Sequence, residues 1–231
     1  MNAAYAIVFR LATLSLAILL GIQCVWLVLP EMLRPAADRL PTDATASAAT
    51  AKARSSAAWA ATIGIIRGDL WAESAYTYSD LLWGDADPST DLAQALQSAR
   101  SRVDRALGDA PHQSSAWLFR AMLGLRYPSQ NIDVVQSLRM SYYTGPSEQE
   151  LAQLRLDAMA QLDMSNDVEM RQFASRDLRS LVARKQISAI TDAYTRASPA
   201  GKRFIEETVR DIDPSVVQLL QSATNGSSLR N

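Results

Sequence analysis

Between Arg10 and Glu31 the chain carries no charged side chain. The twenty residues that intervene, LATLSLAILLGIQCVWLVLP, would cover about 30 Å as a helix at ~1.5 Å per residue. That is the thickness of a bilayer's hydrocarbon. Apolar positions surround the whole helical wheel rather than forming one stripe, the pattern of a helix with no polar face. Tyr5 and Trp26 lie near its two ends, where aromatic side chains favour the membrane interface. Pro30 predicts the end of this helix, because a proline cannot donate the next backbone hydrogen bond.

Beyond Trp59 the apolar residues recur at spacings of three and four, so helices are predicted and no strand alternation is found. Leu92, Ala95, Leu96, Ala99, Val103, Ala106 and Leu107 share one face, opposite Arg100, Asp104 and Arg105. The segment AWLFRAMLGL, from Ala116 to Leu125, is apolar on nearly all sides and predicts the most buried helix. Leu151, Leu154, Ala158 and Leu162 form a further stripe. Another runs through Met170, Phe173, Ala174, Leu178, Leu181 and Val182, and the next through Ile187, Ile190, Tyr194 and Ala197. Ser147 precedes Glu150 by three residues, a capping-box spacing, after a Gly145–Pro146 stop. Ser198–Pro199 and Asp213–Pro214 each place a capping side chain before a proline suited to the first turn. About eight or nine helices follow the first, and short loops make neighbours antiparallel.

The expected organisation is a membrane anchor over 1–31, a spacer rich in Ala, Ser and Thr over 32–58, helical hairpins over 59–164, further helices packed on them over 165–222, and a frayed tail over 223–231. The anchor could instead be a cleaved signal. However, its apolar run exceeds the usual ~7–15 residues, and LVLPEML is a poor cleavage context. Gln23 stands where a lipoprotein signal needs a small residue before its cysteine, which makes Cys24 a residue of the spanning helix.

Composition removes several function classes. There are 23 basic and 24 acidic residues, a balance unlike the basic footprint of a nucleic-acid binder. One cysteine and one histidine exclude an internal disulfide framework and leave little for a zinc or haem site. No phosphate-cradling glycine loop occurs, so the sequence implies no cofactor.

The stretch ALGDAPHQSSAW sets Pro111 five residues after Ala106 and Trp117 six after Pro111. Ala99, Val103 and Ala106 give a small–large–small face before it, and Trp117 and Ala121 follow. This resembles the tetratricopeptide repeat. Ser141 to Pro146 repeats the five-residue spacing, and Gly68 divides an earlier pair of helical segments. Departures are plain: Ala121 and Gly124 replace the first helix's usual glycine and tyrosine, and RYPSQNID breaks the ~34-residue register. The resemblance implies an all-α fold of right-handed helical hairpins behind the transmembrane helix. It also implies a concave face for binding a protein partner, where Tyr76, Arg120, Arg139 and Tyr143 are the candidate contacts. Most aromatics in such a fold fill the core instead.

Two stretches raise the question of catalysis. His112 follows Pro111 in a predicted turn, with Asp109, Ser114 and Ser115 close in sequence but no nucleophile elbow. Glu73–Ser74 resembles the Glu–Ser pair of helical lytic transglycosylases, where the glutamate is the general acid, but the glycine-rich stretch that should follow is missing. Glu206, Glu207, Asp211 and Asp213 alternate with Lys202, Arg203 and Arg210, the pattern of a solvated face. The leading expectation is a non-enzymatic, membrane-anchored scaffold or assembly factor of the bacterial envelope, binding a membrane-associated protein partner and no nucleic acid. The layout resembles small bacterial envelope proteins with one N-terminal anchor and a tetratricopeptide-like domain, which implies secretion or polysaccharide export as the pathway. The alternatives are a glycan-cleaving enzyme using Glu73 and a self-assembling subunit. The basic residues flanking the span barely discriminate its orientation; a single-pass inner-membrane protein with a periplasmic domain is expected from the layout.

Overall fold

Helices make up all the regular structure in the computed structural model, which describes residues 3–34, 40, 51–83, 90–163 and 166–228. The chain divides into two compact units, Met1–Pro111 and His112–Asn231. The boundary falls inside the ALGDAPHQSSAW turn, so the hairpins expected as one block over 59–164 are shared between two bodies.

The first unit begins with α1 (Ala3–Leu33). Its Ile7–Leu33 stretch, 27 residues, is long and apolar enough to cross a membrane, and its apolar window is not buried by the rest of the chain. Pro30 does not end this helix, contrary to the sequence reading. One backbone hydrogen bond is lost at a proline, but here the ring is buried and α2 (Ala51–Gly64) packs along the same end of α1. The helix α2 also takes in the last residues of the expected spacer. Ala57, Ala60 and Ala61 are buried on it, and side chains this short let neighbouring helices approach closely. Most of that spacer, 35–39 and 41–50, lies outside the described residues.

From there, α3 (Gly68–Tyr76), the short α4 (Ser79–Trp83) and α5 (Thr90–Asp109) complete the unit. The predicted stripe on α5 is the buried one: Ala95, Leu96, Ala99, Val103, Ala106 and Leu107. This helix packs against α3, on which Leu70, Ala72 and Ala75 are buried. A side chain at position 68 would put its Cβ 2.7 Å from the Ala106 carbonyl oxygen and 2.9 Å from the Ala110 nitrogen, so only glycine lets α3 start this close to α5.

The second unit contains α6 (Ser114–Arg126), α7 (Val134–Thr144), α8 (Ala152–Ala160), α9 (Val168–Ala183), α10 (Ile187–Arg196), α11 (Pro199–Ile212) and α12 (Pro214–Ser228). Its hub is α8, which packs against α6, α7, α9, α10 and α11. Seven of its nine residues are buried, against seven of thirteen on α6, so the most buried helix is not the one the apolar run predicted. Surrounding helices decide burial, and α8 has them on every side. Eleven α-helices follow α1 among the described residues, more than expected, because breaks such as Thr77–Tyr78 divide longer patterns. The helix α12 also continues into the expected tail.

Two of the three predicted helix starts form. The Ser198 hydroxyl accepts from the Gly201 N–H at 3.0 Å, with Pro199 in the first turn. Asp213 accepts from the Ser215 N–H at 3.0 Å. The Ser147–Glu150 box does not form. A 3₁₀ turn over Gln149–Leu151 precedes α8, and its cap position is Glu148, whose carboxylate accepts instead from the Ser114 hydroxyl at 2.5 Å. Two caps the sequence reading missed are Asp133 and Asp167, accepting from the Gln136 and Met170 N–H groups.

Candidate functional site

Where α1 ends, five charged side chains form an alternating chain. Arg34 donates through Nε to Glu73 on α3 at 2.8 Å, and its terminal nitrogen reaches the other Glu73 oxygen. Arg34 also approaches Glu31 at 3.3 Å, and Arg67 reaches Glu31 at 2.5 Å. Arg67 then holds Asp69 through two nitrogens, at 2.5 and 3.2 Å. Hydrogen bonding from Asp69, ahead of that from Glu31, holds the Arg67 pKa above its usual value. At Asp69 burial pushes the pKa up, but Arg67 outweighs it and the net shift is down. Exposed pairs contribute little each, about 0–1 kcal/mol. Glu73 is different: at 6% exposure its carboxylate has left water, and Arg34 is its counter-charge. One turn below, the Trp26 Nε1–H donates to the Ile63 carbonyl of α2 at 2.9 Å. The end of α1 is thereby tied to both α2 and α3.

This placement bears on the glycan-cleaving alternative. A general acid must give its proton to a substrate in a cleft. Both Glu73 oxygens face a guanidinium instead. Ser74 is buried beside it and accepts from Arg102 at 2.6 Å. Nothing in the spacing of Glu73 foretold this pairing, because its partner lies 39 residues away. His112 is exposed in the turn that joins the two units.

The four candidate partner contacts do not converge. Tyr76 belongs to the first unit and is buried at 7% exposure, so its ring is core rather than binding surface. The other three belong to the second unit. Arg120 is half-buried, donating to the Ser137 hydroxyl at 2.9 Å and stacking over Trp117. Only Arg139 and Tyr143, one turn apart on α7, share a site. Arg139 pairs with Asp167 at 2.6 Å and approaches Glu169 at 3.8 Å. Hydrogen bonding to Asp167 holds its pKa up. The Tyr143 hydroxyl meets both Glu169 oxygens at 2.8 and 2.9 Å, its ring stands edge-on to Phe173, and half of it is exposed. Val168 stands exposed beside this cluster at the start of α9. The result is a rim where one exposed aromatic ring, one cation and two carboxylates meet.

Sequence reasoning missed Arg155, which lies between the core positions Leu154 and Leu156. It is 1% exposed. Its guanidinium donates to the Ser141 hydroxyl at 3.0 Å, the Ser141 carbonyl at 2.5 Å and the Gly145 carbonyl at 2.9 Å, and lies over the Tyr142 ring. These carbonyls lie at the C-terminal end of α7, where the Gly145 N–H also reaches the Ser141 carbonyl at 3.2 Å and the Glu148 N–H reaches the Gly145 carbonyl at 3.3 Å. Burial alone pushes the Arg155 pKa down. Close by, burial lifts Asp177 from 3.8 to about 6, and Tyr142 and Arg155 offset this only partly. The folded-state value lies above the unfolded one. Protonation of Asp177 therefore stabilises the fold fully below the unfolded value, and the effect is lost as pH rises through about 6. Lowering the pH from about 7.5 to about 5 should raise the stability of this unit by ~1.4 kcal/mol. Thermal melts should show that rise, and Asp177→Asn should abolish it.

A cavity of about 250 Å³ opens among α8, α9 and α11, lined by Met159, Asp163, Arg171, Phe204 and Glu207. Arg171 stacks over Phe204 and approaches Glu207 at 3.6 Å across it. Its walls come from three helices that are not all consecutive, so no local motif announces it. Among the described residues no group of three His, Cys, Asp or Glu side chains is placed to hold a metal ion. Comparisons with protein-family models, curated proteins and solved structures returned no match.

Proposed function

We propose that this chain is a membrane-anchored helical scaffold that binds a protein partner in the bacterial cell envelope. The observation that carries this reading is the junction at the end of α1. The end of an apolar helix of membrane-spanning length is ion-paired with α3 and packed on α2. A signal destined for removal has no need of such bracing. Tethering raises the local concentration of the helical units for membrane-associated partners. The first unit is the brace. In the second, the Arg139–Tyr143 rim offers an exposed aromatic and a fixed cation, residue types that anchor protein interfaces. The mechanism is capture, with no covalent step. On this reading the units lie on the periplasmic side of the inner membrane, and the tetratricopeptide resemblance describes how their hairpins stack.

The test places a photoreactive amino acid at Val168, beside the rim, in cells carrying the full chain. A crosslinked partner should appear at this position and not at exposed Ser188. Tyr143→Ala and Arg139→Ala should each reduce its yield by about tenfold, the scale of a 1.4 kcal/mol contact. Equal crosslinking at both positions would contradict the reading. An adduct of the chain with itself would favour the self-assembling alternative.

A further inference from the structure

The turn between α2 and α3 begins with two adjacent isoleucines that face away from the protein. Ile65 is 54% exposed and Ile66 71%. Trp59, also exposed, lies on α2 one turn before Ile63. Two branched apolar side chains at the tip of a turn are unfavourable in water. Ile65 also has φ of 37°, a left-handed conformation that costs a branched residue more than most. Water gives no reason for either feature.

The position of the turn supplies one. The Trp26–Ile63 hydrogen bond fixes the end of α2 at the level of Trp26. Trp26 precedes Glu31 by five residues, or about 7.5 Å along the helix. Glu31, Arg34 and Arg67 mark the level at which charges first occur on this end of the span. If α1 spans the bilayer, the turn dips below that level, to the depth of about 5–10 Å at which apolar faces of interfacial helices lie.

The backbone is prepared for this. The Ile63 carbonyl accepts from the Trp26 indole at 2.9 Å, and the Gly64 carbonyl from the Arg67 N–H at 2.9 Å. The Ile65 carbonyl accepts from the Trp71 indole at 3.4 Å. Three successive carbonyls at a helix end, normally left to water, are thus satisfied inside the protein. That is the requirement for backbone that leaves water for lipid. Arg67, the residue after Ile66, is held back at the charged level by Glu31 and Asp69.

We infer that the α2–α3 turn is a second membrane contact, which inserts Ile65 and Ile66 among the lipid acyl chains beside α1 on the side facing the helical units. The inference rests on the proposal that α1 spans the bilayer. The occupant is the bilayer itself, because the patch is continuous with the apolar surface of α1 and is bounded by the charged level.

The test uses the full chain with Cys24→Ser, reconstituted into vesicles of phosphatidylethanolamine and phosphatidylglycerol. An environment-sensitive fluorophore is attached at Ile66→Cys, and in parallel samples at Leu16→Cys in the span and Ser101→Cys on exposed α5. Lipids brominated high on the acyl chain should remove about half of the emission at position 66 and none at 101. Lipids brominated near the chain ends should quench position 16 more than position 66. Quenching at 16 without quenching at 66 would overturn this inference and leave the anchor standing. Quenching at neither would remove the anchor and the inference with it. A blue-shifted signal at 66 that brominated lipid leaves untouched and that dilution into excess lipid reverses would mean a second copy covers the turn, and would also overturn it.

Discussion

Replacement of Arg155 by alanine should destabilise the His112–Asn231 unit by about 3–5 kcal/mol, the range found when one partner of a buried charged network is removed. The change strips donors from the Ser141 and Gly145 carbonyls and from the Ser141 hydroxyl. Each carbonyl keeps a longer backbone contact, from the Gly145 N–H at 3.2 Å and the Glu148 N–H at 3.3 Å, so the cost lies in the lost hydrogen bonds to a charged donor, about 1.5–3 kcal/mol each, and in the buried Ser141 hydroxyl. Asp177 loses its nearest buried cation at the same time, which favours its protonated form further. Arg155→Lys should rescue little, because an ammonium lacks the planar fork that reaches three acceptors at once. Hydrogen exchange on the full chain is the suitable measurement. Amides of α7 and α8 should exchange about 10²–10⁴ times faster, at ~1.4 kcal/mol per decade, with no change in α3 or α5. Exchange within about threefold of the parent chain would mean the network is incidental.

The second large effect is expected at Gly201. A methyl group there would sit 2.0 Å from the Ala160 carbonyl oxygen and 2.8 Å from its carbon. Both are backbone atoms of the hub helix α8, and the Ser198 N–H donates to that same carbonyl at 2.9 Å. Opposing this, alanine is a better helix former than glycine by about 1 kcal/mol. The clash is far inside van der Waals contact and wins. Gly201→Ala should cost about 3 kcal/mol or more and separate the start of α11 from the end of α8. For a unit of this size that lowers the melting temperature by roughly 10 °C. A neutral or raised melting temperature would mean that α11 does not approach α8 this closely.

These two residues show where the sequence stops being legible. Local periodicity revealed the helices, since the stripe through Leu92 and Leu107 needs only a regular 3.6-residue turn to become a buried face. The Ser198 and Asp213 caps were legible for the same reason: each acts within three residues. The Ser147–Glu150 spacing failed although it is local, because Glu148 found a partner 34 residues away in Ser114. Pro30 misled in the same way, since burial of its ring against the rest of the unit depends on where α2 packs. Arg155, Gly201 and the Arg34–Glu73 pair are invisible to periodicity, as each is explained by a residue distant in the chain. Of the candidate partner contacts, Arg139 and Tyr143 emerge together because they lie one turn apart on α7. Tyr76 was misplaced because an aromatic on an amphipathic helix serves core and surface equally well until its neighbours are known.

The central claim is that α1 crosses the bilayer and carries the helical units with it. Extraction of membranes from cells producing the full chain, at alkaline pH where peripheral proteins wash off, tests it most directly. The chain should remain wholly in the membrane pellet. With Leu16→Arg and Leu20→Arg together it should move to the soluble fraction, because each charge at mid-span costs about 2.5–3.5 kcal/mol of insertion. Release of the unaltered chain, or retention of the doubly charged one, would contradict the account.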